Sequence, residues 1–250
     1  MYIKNVIFFT ILTIVSIFFA AGINAEEIKV SQSSEGSVIS IGDLSIDIWP
    51  RIIGKISYKG ERLINQIYFN INGSNFKNIG RQGNSIEFEQ PKIKETNNNI
   101  EVVFISVIGS DENGKWEVIQ TVLFSKDKKM QIDYQIKNIL NKDKDKNAML
   151  YTELTKHYKD SKVIIYADKM WKDGKSTPLE TGKYEGEFFG SWGKVTEILF
   201  DLKGRIWSIM CKSGITIADF TIFDQNQRYL LGLQSKMEGC SLVYDFSNLE

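Results

Sequence analysis

This chain of 250 residues contains one histidine, His157, two cysteines, Cys211 and Cys240, and three prolines. With no second histidine and no Cys-x-x-Cys there is no ligand set for a structural zinc ion, and no metal site is expected. A Ser-His-Asp triad would have to be built on His157, inside the polar stretch Thr155-Lys156-His157-Tyr158-Lys159. Nothing around it supplies the context. Gly-x-Ser-x-Gly and the phosphate-binding loop are both missing, and no cofactor is expected. Net charge is missing too: 31 basic residues balance 31 acidic ones. A neutral chain with no basic stripe argues against a nucleic-acid partner and gives no reason to expect an anionic membrane surface. Few prolines and no Ser/Gly tract leave no linker, so one domain is expected. The two cysteines either pair in an oxidising compartment or pack as separate thiols, and the residues alone leave both readings open.

What is present begins with a leader. Lys4 precedes an apolar run from Val6 to Phe19, interrupted by Thr10, Thr13 and Ser16, and Ala20 to Ala25 supply small residues before Glu26. That order is a secretory signal peptide over residues 1–25, with a mature chain of 26–250. The apolar run is shorter than the ~20 residues a bilayer span needs. No cysteine follows it, so nothing suggests a lipoprotein. Export to a periplasmic or extracellular space follows, with no membrane span after cleavage.

Period-two alternation dominates the rest. Met130, Ile132, Tyr134 and Ile136 alternate with polar residues and form the cleanest half-buried strand. Ile86 to Glu89 alternates in the same way. Ile100 to Ile108 is apolar on both faces and reads as a central strand. Trp116 to Phe124 is another strand, joined to it through Asn113-Gly114. With Asp127-Lys128-Lys129 as the next turn, residues 99–138 form an antiparallel meander. Six more strands are expected later: Val163–Tyr166, Thr196–Leu202, Arg205–Cys211, Ile215–Phe223, Tyr229–Gln234 and Leu242–Phe246. Met149 to His157 reads as a helical turn or two. Hydrophobic content of 42% excludes disorder. The expected fold is all-β, a large antiparallel β-sandwich.

The order of features is similar to a known family. Gly42-Asp43-Leu44-Ser45-Ile46-Asp47-Ile48, leading into Gly54-Lys55-Ile56-Ser57-Tyr58-Lys59-Gly60-Glu61-Arg62-Leu63-Ile64, resembles the opening of galactose mutarotase-like domains. Val118 to Phe124, a turn, and Met130 to Asn138 look like that family's middle hairpin. The resemblance covers about Val38 to Phe246. It implies a β-supersandwich, found in sugar epimerases and as a domain of many polysaccharide lyases and glycoside hydrolases. Those epimerases use two histidines and a carboxylate base. With His157 alone that machinery is incomplete, and no catalytic residue is carried over.

Candidate binding residues cluster between Trp171 and Trp192, read as long loops at a sheet end. Trp171, Tyr184 and Trp192 offer faces for a sugar ring, with Asp173, Glu185 and Arg205 as polar partners. The alternative for Trp192 and Phe188 is that they cap the core. Glu185 and Glu187 are the best carboxylate pair for a glycosidase, against the plainer reading of one polar strand face. Asn141 to Asn147 alternates oxygen ligands as a calcium loop does, but it lacks the glycine and the final acid, and reads as a solvated loop. Asn72-Gly73-Ser74 fits a glycosylation sequon. The leading functional expectation is an exported carbohydrate-binding or carbohydrate-associated domain without epimerase activity. The alternatives are a lyase or hydrolase using Glu185, Glu187 or the pair His157 and Tyr158, and a cell-envelope assembly protein that pairs through a strand edge.

Overall fold

The computed structural model describes residues 26–73, 78–140, 146–172, 174–186, 190–223 and 228–249. The expected leader lies outside these residues, as do Asn141 to Asp145 of the charged loop, Asp173, Glu187 and Phe188.

Five strands open the chain: β1 (Ile28–Ser33), β2 (Gly36–Ile41), β3 (Leu44–Ile48), β4 (Ile53–Tyr58) and β5 (Glu61–Asn72). Three short ones follow: β6 (Asn78–Arg81), β7 (Glu87–Phe88) and β8 (Lys92–Glu95). The expected meander is β9 (Asn99–Ser110), β10 (Gly114–Ser125) and β11 (Lys129–Leu140), and β12 (Asn147–Leu154) comes next. The second half holds β13 (Lys162–Tyr166), β14 (Lys169–Lys172), β15 (Lys175–Pro178), β16 (Lys183–Gly186), β17 (Gly190–Gly193) and β18 (Glu197–Leu202). It ends with β19 (Arg205–Ser213), β20 (Ile215–Phe223), β21 (Arg228–Ser235) and β22 (Gly239–Asp245).

These strands make two antiparallel sheets. The large sheet has 12 strands in the order β1-β2-β3-β4-β5-β12-β21-β20-β17-β14-β15, with β6 also paired to β5. The small sheet has 10, in the order β16-β13-β18-β19-β22-β11-β10-β9-β7, with β8 also paired to β9. Alternation decides which side chains lie between the sheets. Met130, Ile132 and Tyr134 of β11 point inward, as do Val118, Val122 and Phe124 of β10. The expected all-β sandwich is what forms.

Three expectations are corrected. Met149 to His157 is not helical. Its first part is β12, held between β5 and β21, and only Lys156–Asp160 is a 3-10 turn. The run looks aperiodic because side chains on both faces of β12 are buried, Ala148 and Leu150 inward, Met149 and Glu153 outward. β9 is not a central strand covered on both faces: only the short β7 and β8 lie beyond it in the sheet, and Val103, Ile105 and Val107, on the face away from the core, stay half-exposed. Ile86 to Glu89 shrinks to the two-residue β7 at that edge, with Ile86 50% and Phe88 37% exposed.

The core is aromatic at one end. Phe200 stacks on Trp207 at 4.1 Å between centroids, and Trp207 stacks in turn on Phe246 at 5.4 Å. Trp207 Nε1 donates to the buried Tyr158 hydroxyl at 2.8 Å. Trp192 and Phe220 of the large sheet join this cluster through Phe200.

A polar bridge crosses the other part of the core. The partner of β5 changes from β4, opposite Ile67, to β6, opposite Asn70. At the change, Phe69 N–H donates to the Gln82 side-chain oxygen at 3.1 Å, and Gln82 Nε2 donates to Gln120 Oε1 on β10 at 2.7 Å. Both glutamines are fully buried. Gln82→Leu is expected to cost about 1–3 kcal/mol, since it orphans a buried N–H and a buried carbonyl oxygen. Adding Gln120→Leu is expected to return part of that loss. Urea unfolding of the four members of the cycle measures the coupling.

Cys211 and Cys240 lie on the neighbouring strands β19 and β22 as free thiols. Burial pushes both up to about 12, with their mutual charge a smaller cause for Cys211. The folded protein is expected to resist an alkylating reagent at about pH 8, while the unfolded chain takes up two equivalents. Mass spectrometry before and after denaturation reads this out.

Candidate functional site

The side of the large sheet that faces away from the core carries an unusual row. Cross-strand pairing aligns Trp171 with Ser191, Ser191 with Asp219, Asp219 with Gly232, Gly232 with Tyr151, and Tyr151 with Tyr68. Residues directly opposite one another share a face. Their chain neighbours Met170, Trp192, Phe220, Leu231, Leu150 and Phe69 point into the core. The row crosses five strand spacings, roughly 24 Å.

Two glycines make the row a shelf for rings. A Cβ on Gly232 would lie 3.1 Å from the Tyr151 ring, and one on Gly193 would lie 2.9 Å from the Trp171 ring. Tyr151 packs against Tyr68 with centroids 5.5 Å apart. Its hydroxyl accepts from Asn72 Nδ2 at 3.2 Å, which leaves its own proton to donate. Asn72 is 1% exposed and held by that bond, so the Asn72-Gly73-Ser74 sequon presents no free amide to solvent.

Asp219 is the acid of the row. Burial raises its pKa, and the Ser191 hydroxyl, donating to Oδ1 at 3.0 Å, offsets part of the rise. Burial also raises Tyr151, helped by the Asp219 charge across Gly232. A second carboxylate, Glu153, lies two residues along β12 and receives hydrogen bonds from Gln66 Nε2 at 2.7 Å and Asn65 Nδ2 at 3.3 Å. The face can therefore offer the rings of Trp171 and Tyr151, accept hydrogen bonds at Asp219 and at the Ser191 oxygen, and donate one at Tyr151, while Tyr68, 6% exposed, backs the Tyr151 ring. Among the described residues no cluster of His, Cys, Asp and Glu is arranged to hold a metal ion. No helix among them is long and apolar enough to cross a membrane.

The residues expected from sequence are divided. The segment from Trp171 to Trp192 is not long loops: it contains β14, β15, β16 and β17. Trp171 is on the outer row. Trp192, one residue beyond Ser191, is fully buried against Phe220 and Tyr184, and so packs the core. Tyr184 reaches it from the small sheet at 5.2 Å. Glu185 points the other way, exposed and 3.2 Å from Lys183. Arg205 begins β19 and pairs with Glu61 of the large sheet. Asp173 and Glu187 lie outside the described residues. His157 is exposed while Tyr158 is buried under Trp207, so those two do not converge. Asp219, Tyr151, Ser191 and Tyr68 do not stand out in the sequence pattern. The available signal is a lone Asp inside the otherwise apolar Ile217-Ala218-Asp219-Phe220.

A separate cavity of about 330 Å³ lies between β1–β3 and the approach to β8, lined by Gln32, Ser37, Ile48, Pro50, Pro91 and Ile93 among others. Its lining holds no charged and no aromatic side chain, so it offers less chemistry than the outer row.

No protein-family model and no curated protein matches the sequence. Solved structures do share its fold. A galactose mutarotase-like protein from Clostridium acetobutylicum superposes with a TM-score of 0.60 at 10% identity, covering 88% of this chain and 97% of the other. Galactose 1-epimerase from Lactobacillus acidophilus gives 0.62 at 8% identity, covering 90% and 100%. A bacterial glucoamylase complexed with acarbose gives 0.51 at 8% identity, covering 82% of this chain but 30% of that one. The fold is thus the galactose mutarotase-like β-sandwich.

Asp219 supplies a pH test of the site. Its folded pKa lies above its unfolded value of about 3.9, so the charged form is the disfavoured one in the folded protein. Its contribution to stability is lost as pH rises from that unfolded value through the raised folded one. Asp219→Asn is expected to melt higher than the native chain at about pH 7 and equally near pH 3. Thermal melts at the two pH values check the sign.

Proposed function

We propose that this chain is an exported carbohydrate-binding protein that seats a sugar on the outer face of its large sheet, without histidine-based epimerase chemistry. The half-exposed row of Trp171, Ser191, Asp219 and Tyr151 is the observation that carries this reading. Aromatic rings suit the apolar faces of sugar rings, and the Asp219, Ser191 and Tyr151 groups between them suit hydroxyls. Rigid strands hold both kinds of group, which limits the ordering needed on binding. The fold neighbours named for galactose 1-epimerase and for glucoamylase with acarbose add an analogy, since one fold hosts many activities. The single histidine, exposed at His157, is the reason for leaving epimerisation out. The apolar leader supports export, and protein recovered outside the cytoplasm is expected to begin at Glu26.

A glycan array probed with the purified protein is expected to show selective binding. Trp171→Ala removes a stacking face and should weaken that binding about three- to tenfold. Tyr151→Phe removes one hydroxyl and should weaken it a few-fold. Native-like affinity in both folded variants would move the ligand off this face.

A further inference from the structure

We propose that the sugar bound on this face is an amino sugar, its ammonium group held by the Asp219 carboxylate beside the ring of Tyr151. The inference rests on the sugar-binding reading above and names the substrate class for it.

Asp219 has no countercharge among the described residues. Its Oδ1 accepts from the Ser191 hydroxyl at 3.0 Å, a neutral partner, and it forms no ion pair. Elsewhere in the chain partly buried carboxylates find cations: Glu26 meets Lys128 at 2.8 Å, Asp245 meets Lys129 at 3.8 Å, and Glu61 meets Arg205. Along the outer face, the described charged groups nearest to Asp219 in register are Glu153 and Lys169, each roughly 12 Å away by strand spacing and rise. Glu153 adds to the negative field there. Lys169 holds its Nζ 4.9 Å from the Trp171 ring centroid and so serves that ring, and Asp168 beside it is answered by Lys194 at 3.6 Å.

The carboxylate is open to a ligand. Asp219, Ser191, Tyr151 and Trp171 are all half-exposed, and Asp219 Oδ2 is not one of the oxygens sealed in the interior without a partner. The Tyr151 ring covers Gly232, the residue directly opposite Asp219, with Cε1 3.1 Å from where a Cβ would stand. A pyranose resting on that ring carries a substituent to Asp219, one strand spacing or about 4.8 Å further on. An ammonium there has three donors and no acceptor. Asp219 Oδ2 and the Ser191 oxygen are two acceptors side by side, and the charge makes the carboxylate bond the stronger of them. A neutral hydroxyl would leave the partly dry carboxylate uncompensated. The stability that Asp219 costs the free chain at neutral pH is offset once a cation binds it.

The test is calorimetry on the full-length protein at about pH 6.5, where an amine is protonated. Glucosamine and galactosamine are compared with their N-acetylated forms, with glucose and galactose, and with propylamine. At least one amino sugar is expected to bind about fivefold or more tightly than both its N-acetylated form and its parent sugar. Raising salt from about 0.05 to about 0.5 M should shrink that margin. In Asp219→Asn, which keeps the shape and the oxygen facing Ser191, the margin should fall to about one, with a thermal melt confirming the fold. Trp171→Ala should weaken amino and neutral sugars alike and leave the margin in place. Parent sugars that bind as well as the amino sugars, or a margin that survives in folded Asp219→Asn, overturn the proposal and leave the sugar site standing. Propylamine binding as tightly as the amino sugars also overturns it, since the sugar ring then adds nothing. If no sugar binds the native chain, the proposal falls with the sugar reading itself.

Discussion

Phe69 sits where β5 has lost β4 as a partner and has only just met β6, and its buried N–H must still be satisfied. An orphaned donor in that place would cost as much as several good apolar contacts return. The Gln82 side chain answers it by turning inward, and Gln120 of the small sheet holds the far end of the same amide. Gln82 opens a short 3-10 turn directly after β6, and Arg81, the last extended residue before it and opposite the outward Asn70, lies outward on the ring of Tyr68. One hydrogen-bond obligation in the core thereby links the two sheets and also sets one end of the candidate face.

The alternation of side chains along a strand explains the contrast between core and face elsewhere. Ser191 and Trp192 are adjacent, yet one donates to Asp219 outside and the other packs on Phe220 inside. Inward positions need only bulk and apolarity, which Ile, Leu, Phe and Trp supply in many combinations. That tolerance accounts for solved structures sharing this fold at 8–10% identity. The outward row is constrained differently. Gly232 must lack a Cβ for Tyr151 to lie where it does, and Asp219 must stay partly dry to hold a raised pKa. The fold by itself does not specify a function.

The strands of the meander are legible in the sequence because each has one buried face and turns with strong local preferences. Asn113-Gly114 and Asp127-Lys128-Lys129 mark the hairpins, and Met130 to Tyr134 shows the alternation without ambiguity. β12 is not legible. A strand in mid-sheet with both faces buried loses its period, and four-residue spacings such as Leu150 to Leu154 then mimic a helix. The region from Trp171 to Trp192 misleads for the opposite reason. Its strands are only four residues long and separated by glycine-containing turns, so local composition reads as loop, and strand state is imposed by pairing, β17 with β20, β14 with β17 and β15, and β16 with β13.

From sequence alone came the fold class and the hairpins of residues 99–138. Each depends on near neighbours in the chain or on simple counts. Whether Cys211 and Cys240 pair, that Trp192 serves the core, and that Trp171, Asp219, Tyr151 and Tyr68 share one row were decided only by tertiary structure. Those residues are separated by tens of positions in the chain. What brings them together is the hydrogen-bonded order of β14, β17, β20, β21, β12 and β5, a property of the whole sheet that no local segment encodes.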